Sequence, residues 1–540
     1  MWRIVAGIIG AVVASAAFGQ SLPAGPQVIT YLSQVDDSNQ SYALYVPPKL
    51  DPSRKYPLVI SLHAEDSSPQ ICLMRVFGQA NRLADGSLAP LRFFRARDVD
   101  FIVACPLARG TMGYEGIAER DVYDVLEDLK RRLPVDEDRV YLTGASMGGG
   151  GALRLALTQP DVWAAVAVVC PAAGPGLEPL IPNAINVPIR LFQGELDPLV
   201  PVESVRLWQR RLLDLGVAAD YFEYPTGRHN AWDYAYRDGA IFEWFAHFQR
   251  NRFPERVRLV TTSYQYGSAY WVRIDGLTPG LRASIDARQV GNNEVRAETG
   301  NLDGFTLSLD HRVAAVTIDG APLRVPPAAG ASFHKEAGKW VRGAARAGGK
   351  GPGSEGPIAA AVAGRHLYVY GTLDAHSADE LESRRAAAER AAAWSSPREH
   401  PAVKFAVKPD TAVTAQDLNE NLVLFGTRET NSVIARYADR LPLALAAGAA
   451  DYGLLFVAPV GGHYVLVSSG LPWWTGAGEA GRPVDRYEPP VPAELGTFGD
   501  YILFKGSLAH VVAEGRFDRE WKMPAADAAK MAATGAVTVR

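Results

Sequence analysis

Along the first half of the chain, unbroken apolar runs alternate with stretches in which apolar positions recur every third or fourth residue. Leu58, Val59, Ile60 and Leu62 form one unbroken run, and Phe101 to Cys105 another. This is the pattern of strands covered on both faces. Residues 41–46 alternate instead and also predict a strand. Val122, Val125, Leu126 and Leu129 share one face of a helix over residues 119–133. A strand over 139–143 runs into Gly144 to Gly151 and a helix ending at Leu157. Further strands are expected over 162–169, 189–193 and 221–224, and helices over 207–215 and 240–248. Buried strands alternating with amphipathic helices predict an α/β fold, a mostly parallel sheet with helices on both faces.

Near Pro254 the pattern changes. Short alternating segments such as 270–274 and 305–309, separated by Gly, Asn and Asp, predict a small antiparallel β domain. Residues 343–357 are rich in Gly, Ala, Lys and Pro, which suggests a linker or mobile loop. The α/β pattern then returns, with strands expected over 366–370, 403–407, 422–425, 454–458, 464–468 and 501–505, and helices over 378–394 and 432–438. The expected organisation is a signal peptide over 1–19, a catalytic α/β domain over 20–255 and a small β domain over 256–330. A linker over 331–365, an accessory α/β domain over 366–520 and a tail over 521–540 follow. The accessory domain carries no Walker loop, and no nucleotide or other cofactor is assigned to it.

Composition narrows the function class. With 540 residues, a formal charge of -4 and 21% charged residues, the chain carries no excess of basic groups. A nucleic-acid partner is therefore not expected. Arg3, an apolar run from Ile4 to Val13 and small residues up to Gln20 read as an export signal cleaved after Gly19 or Ala16. The run is short for a membrane anchor, and no later stretch is long enough to span a bilayer. The location implied is periplasmic or extracellular. Cys72, Cys105 and Cys170 lack metal-ligand spacing, so no metal is expected. They read as small buried hydrophobes, with one disulfide left open.

The chemistry centres on Gly144-Ala145-Ser146-Met147-Gly148, a G-x-S-x-G sequence between a strand and a helix. That placement suits a serine nucleophile on a tight turn, with the Met147 amide facing a developing oxyanion. The serine needs a base and the base an orienting acid. Asp197 and His229 each follow an expected strand, at the sheet edge where Ser146 also falls. Glu195 is the rival acid. His63 ends a strand, and the loop behind it, with Ala64 and Glu65, is placed to give the second oxyanion amide; the loop holding Tyr114 is the rival donor. Tyr114, Trp232 and Tyr234 are candidate pocket residues. Trp232, Tyr234 and Tyr236 read equally well as core. Trp271, Trp473 and Trp474 are open between sugar stacking and packing.

These residues carry a resemblance. From about Tyr42 to Arg250 the chain resembles secreted α/β-hydrolases of the polyhydroxybutyrate depolymerase and feruloyl esterase type, and is similar to the prolyl oligopeptidase catalytic domain. The carriers are Ser61-Leu62-His63, Arg139 to Gly149, Gln193 to Pro201 and Gly227-Arg228-His229. The resemblance implies a Ser146–His229–Asp197 triad acting on a small-molecule or polymeric ester. It departs from the family at Ala64, where His-Gly is usual. Two other readings stay open: a serine peptidase with the same triad, and a binding protein with a degenerate hydrolase domain. The peptidase family carries a β-propeller, for which the β segments after Val257 are too few. Oligomeric state is not legible.

Overall fold

The computed structural model describes residues 22–65, 67–79, 99–278, 280–291, 293–344, 348–394, 403, 405–476 and 490–540. The expected signal segment lies outside the described residues. Eight strands form the first sheet: β1 (Gly25–Leu32), β2 (Asn39–Val46), β3 (Tyr56–Leu62), β4 (Ile102–Pro106), β5 (Val135–Ala145), β6 (Ala165–Val169), β7 (Ile189–Gly194) and β8 (Ala219–Tyr224). Their order is β1-β2-β4-β3-β5-β6-β7-β8. The run from β4 to β8 is parallel, and β1 and β2 add an antiparallel edge.

The apolar runs are strands because both faces are covered. Leu58, Ile60 and Leu62 of β3 enter one core and Val59 the opposite one. Helices α1 (Pro69–Val76), α2 (Gly116–Arg132), α3 (Met147–Thr158), α4 (Val202–Asp214), α5 (Trp232–Ala235) and α6 (Ala240–Phe245) supply the covering side chains. Several boundaries differ from expectation, with α4 beginning at Val202 and β5 at Val135. Pro160–Val162 forms a 3₁₀ turn, so β6 starts at Ala165, and α6 stops at Phe245.

The second sheet holds β9 (Arg256–Thr261), β10 (Ser268–Ala269), β11 (Val272–Leu277), β12 (Ala283–Val290), β13 (Glu294–Gly300), β14 (Leu302–Ile318), β15 (Ala321–Glu336) and β16 (Lys339–Arg342). It is antiparallel except where β13 pairs with β14 in parallel. Because β15 and β16 extend it to Arg342, the expected linker start at 331 is wrong: these residues pair with β14 and with each other. In the Gly-rich stretch beyond, Lys350 and Glu355 are pinned. Glu355 accepts bonds from the Ser263 hydroxyl (2.7 Å) and the Gln265 amide (2.9 Å), and Lys350 pairs with buried Asp500.

The third sheet is mixed. It contains β17 (His366–Tyr370), β18 (Val407–Pro409), β19 (Asn421–Phe425), β21 (Tyr452–Val460), β22 (His463–Gly470), β23 (Tyr501–Lys505) and β24 (Val511–Gly515). The strand expected over 403–407 thus begins only at Val407. Helices α7 (Ala378–Ala392), α8 (Ser432–Tyr437) and α9 (Pro490–Leu495) lie between these strands. The expected tail is part of this unit. Its α10 (Ala525–Ala533) and β25 (Val537–Val539) bury Met531 and Val537, and β25 pairs with β20 (Leu443–Leu445).

Burial also joins the first and third sheets. One core runs from Leu58 and Ile60 through Leu153 of α3 to Tyr368, Val423 and Leu455 of the third sheet. Polar contacts line the seams. Arg365 beside β17 bonds Asp37 at 2.8 Å, Tyr266 bonds Glu119 at 2.7 Å, and Asn183 bonds the Val260 amide at 2.6 Å. Behind Asp37, Arg109 is fully buried with all five N–H bonds used, on Asp121, Asp36, Ser33 and Ser38. Burial outweighs the Arg109 attraction at Asp121 and pushes its pKa up to about 6.

His366 opens the third sheet inside a closed polar chain. Its Nδ1 bonds the Gly364 carbonyl (2.8 Å), and its Nε2 meets the Tyr368 hydroxyl (3.2 Å), which the Trp394 indole N–H reaches at 3.0 Å. Burial holds its pKa down at about 4, against 6.5 unperturbed. Below about 6.5 the unfolded chain takes a proton that the native ring refuses, so acid weakens the fold until about pH 4. The expected loss is up to about 3 kcal/mol. Asp121, with its raised pKa, acts in the opposite sense, so the readout is a difference. His366→Phe should unfold at lower temperature than wild type near pH 7.5, and the gap should close near about pH 4.5. A gap of constant size at both pH values would refute the neutral buried imidazole.

Candidate active site

Ser146 sits between β5 and α3 with φ 58° and ψ −118°, in the left-handed half of the backbone map. A serine in this region is strained. Its backbone is locked by three bonds: its N–H donates to the Val169 carbonyl (3.0 Å), and its own carbonyl accepts from Gly150 (2.9 Å) and Ala172 (3.0 Å). The turn closes only because glycines flank it. A Cβ on Gly149 would stand 2.5 Å from the Val169 carbonyl oxygen, and one on Gly148 would stand 2.7 Å from that of His63. The hydroxyl is thereby lifted above the sheet edge.

His229 Nε2 lies 2.8 Å from Ser146 Oγ, and its Nδ1 lies 2.8 and 3.0 Å from the two Asp197 oxygens. The carboxylate sets the tautomer: Nδ1 carries the proton and Nε2 presents its lone pair to the hydroxyl. Asp197 is itself ringed by donors, the amides of Leu199 (2.9 Å) and Val200 (3.0 Å) and the Gln193 side chain (3.2 Å). Its side chain is 0% exposed while that of His229 is 17% exposed. The acid is sealed and the base remains reachable. Glu195, the rival acid, is exposed, and the His229 ring bonds Asp197 instead. Gln193 was not singled out from the sequence. Its signal is an amide side chain inside an otherwise apolar strand.

The loop after β3 lies against the first turn of α3. Ala64 is buried without a positive φ, so alanine in place of the usual glycine imposes no backbone strain. His63 is buried behind it, with Nδ1 2.8 Å from the Ala64 carbonyl and Nε2 2.9 Å from the Leu107 carbonyl. Burial lowers its pKa, so it holds one proton for two acceptors. Among the described residues the Met147 amide finds no backbone acceptor, as befits the first N–H of a helix. Glu65 is half-buried on the same loop.

One pocket candidate, Tyr114, is corrected. Tyr114 is buried with its hydroxyl on the His63 carbonyl at 3.0 Å, and its ring packs against Gly151. It props the loop and does not face Ser146. Tyr234 stacks on Tyr224 with ring centres 4.6 Å apart. Tyr236 is core, its hydroxyl 2.8 Å from Thr143. Trp232 alone meets the triad, edge-on to the His229 ring at 5.6 Å. Trp271 and Trp473 are buried and packed, with indole N–H groups bound to backbone carbonyls. All three cysteines are free and buried. Cys170, which sequence reasoning left without a role, directs its thiol to the His229 carbonyl at 3.4 Å. Its sulfur, Asp197 and His229 offer donor atoms within 4.8 Å of one another. Burial raises the thiol pKa far above the usual range, so it stays protonated.

Comparison with known proteins bears on this part of the chain. Residues 33–210 match the Esterase family. A poly(3-hydroxyoctanoate) depolymerase of Pseudomonas fluorescens is 31% identical over 117 residues, 21% of this chain and 41% of that protein. This part of the chain is thus similar to esterases of the α/β-hydrolase type. Cutinase 1 of Thermobifida cellulosilytica is 30% identical over 107 residues, 18% of this chain and 36% of the cutinase. The chain thus spans well under half the length of these two relatives. Among solved structures, a ferulic acid esterase from Anaeromyces mucronatus shares 18% identity, with 41% of this chain and 90% of that one covered and a TM-score of 0.31.

The close approach at Gly148 generates a test. A methyl group there would strike the Leu62 and His63 carbonyls. Gly148→Ala should cost at least about tenfold in kcat on an activated ester, because the loop behind β3 must move. Tyr114→Phe removes only a prop and should cost less than about tenfold. The opposite ranking, measured side by side, would put the tyrosine in the chemistry.

Proposed function

We propose that the protein is an exported serine hydrolase that cleaves carboxylic esters through an acyl-enzyme. The observation that carries this reading is the unbroken hydrogen-bond chain from Ser146 through His229 to Asp197, mounted on a strained turn. His229 takes the Ser146 proton as Oγ attacks the ester carbonyl, and a tetrahedral intermediate forms. Its oxyanion is held by the Met147 amide and by an amide of the Ala64–Glu65 loop. His229 then protonates the leaving alcohol, and the acyl group stays on Ser146. Water, deprotonated by the same imidazole, releases the acid and restores the serine. Asp197 stays ionised and supports the imidazolium.

The match to the esterase family favours esters over peptides. Relatives named as a polyester depolymerase and a cutinase make polymeric esters a candidate class beside small ones. Export rests on the first nineteen residues, and no helix of the described residues is long and apolar enough to cross a membrane.

The reading is tested on the full chain. A fluorophosphonate should label wild type and spare Ser146→Ala, and the variant should lose several orders of magnitude in ester turnover while unfolding at an unchanged temperature. The replacement keeps a Cβ at the same strained φ, so the fold has no reason to change. Turnover near wild type by the folded variant would overturn the assignment. Faster cleavage of a proline peptide than of any p-nitrophenyl ester would move the activity to the peptidases.

A further inference from the structure

Arg109, Arg154 and Arg75 of the hydrolase unit are all largely buried, and they differ in their partners: Arg154 pairs with Glu115 at 2.8 Å. Arg109 spends all five N–H groups on protein partners. Arg75, in the last turn of α1, has a buried Nε with no hydrogen-bond partner. Among the described residues no carboxylate stands within ion-pair distance of its guanidinium. The nearest acid named in its surroundings, Asp233, is exposed and already holds the Asn230 amide at 2.7 Å. Burial lowers the Arg75 pKa, which marks a cation whose lost hydration is not made good. The helix C-terminus beneath it offsets only part of that loss.

Arg75 is also next to the chemistry. Its guanidinium carbon lies 4.4 Å from the centre of the Trp232 ring, and that ring stands edge-on to His229 at 5.6 Å. The two contacts hold the guanidinium within about 10 Å of the base. Cys170, whose thiol touches the His229 carbonyl, and His63, behind the loop at Ser146, both lie in its electrostatic reach. The guanidinium lies over the ring face, and its two Nη groups, unlike the buried Nε, are not sealed off.

We infer that Arg75, set over the Trp232 ring, is a specificity residue that binds a carboxylate on the ester substrate. The ester it favours carries an acid group about three to five carbons from the carbonyl attacked by Ser146, within the span set by the Trp232 contacts. This rests on the hydrolase reading above and adds a substrate class to it: half-esters of dicarboxylic acids and acid-terminated oligoesters.

The test compares two esters of equal length on the full chain, the p-nitrophenyl monoester of glutaric acid and p-nitrophenyl pentanoate. Wild type should favour the charged ester in kcat/KM. Arg75→Gln should lower the ratio of the two at least about tenfold, and Arg75→Lys should fall between. A ratio that Arg75→Gln leaves unchanged would overturn the inference and leave the arginine as a roof over Trp232. A second arm does not need turnover. Calorimetry should detect monomethyl glutarate binding to Ser146→Ala, weakened at least about tenfold by adding Arg75→Gln. Equal binding to both would refute the carboxylate site. Absence of fluorophosphonate labelling would instead refute the hydrolase reading, with the calorimetric result still standing.

Discussion

At the end of β5 three pieces of backbone meet with almost no side chain between them: the turn at Ser146, the carbonyls that close β3, and the strand end at Val169. Glycines at 144, 148 and 149 make this possible, since a Cβ at any of them would fall inside a neighbouring backbone atom's contact radius. The left-handed φ at Ser146 follows from the same crowding. Everything chemical in the unit depends on that approach. It sets the height of the hydroxyl and the reach of His229, and it brings the loop behind His63 beside the first free amide of α3.

Charge is handled in opposite ways around this centre. Arg109 is sealed by two carboxylates and two hydroxyls, and so ties the β1–β2 loop to α2. Asp197 is sealed by amides and can orient an imidazole without taking its proton. Arg75 is left with a buried, unpaired Nε. The first two are groups the fold uses for itself. The third is desolvated without a return inside the protein, which is how a binding group differs from a structural one.

Much of the hydrolase unit was legible because a strand covered on both faces writes an unbroken apolar run. Leu58 to Leu62 did so, as did Phe101 to Cys105. The serine turn was legible because only glycine fits beside it. Other features leave no local trace. The pairing of β15 and β16 falls just before the linker-like stretch 343–357, and the burial of Met531 and Val537 depends on β20, some ninety residues earlier. The burial of Arg75 and Arg109 leaves no local trace either, since burial of a cation is decided by distant partners. Tyr114 read as a pocket residue because the sequence does not reveal which way a phenol points.

The core shared by the first and third sheets has a bearing on descent. A catalytic unit that is merely strung to its neighbour can be shuffled, lost or replaced one gene segment at a time. Here Leu153 of the nucleophile's helix and Tyr368 of the third sheet belong to one buried cluster. An insertion or exchange in either half would present the other with an apolar face shaped for a vanished partner. The two halves are therefore bound to be inherited together, and divergence in one must be matched, residue against residue, by divergence in the other.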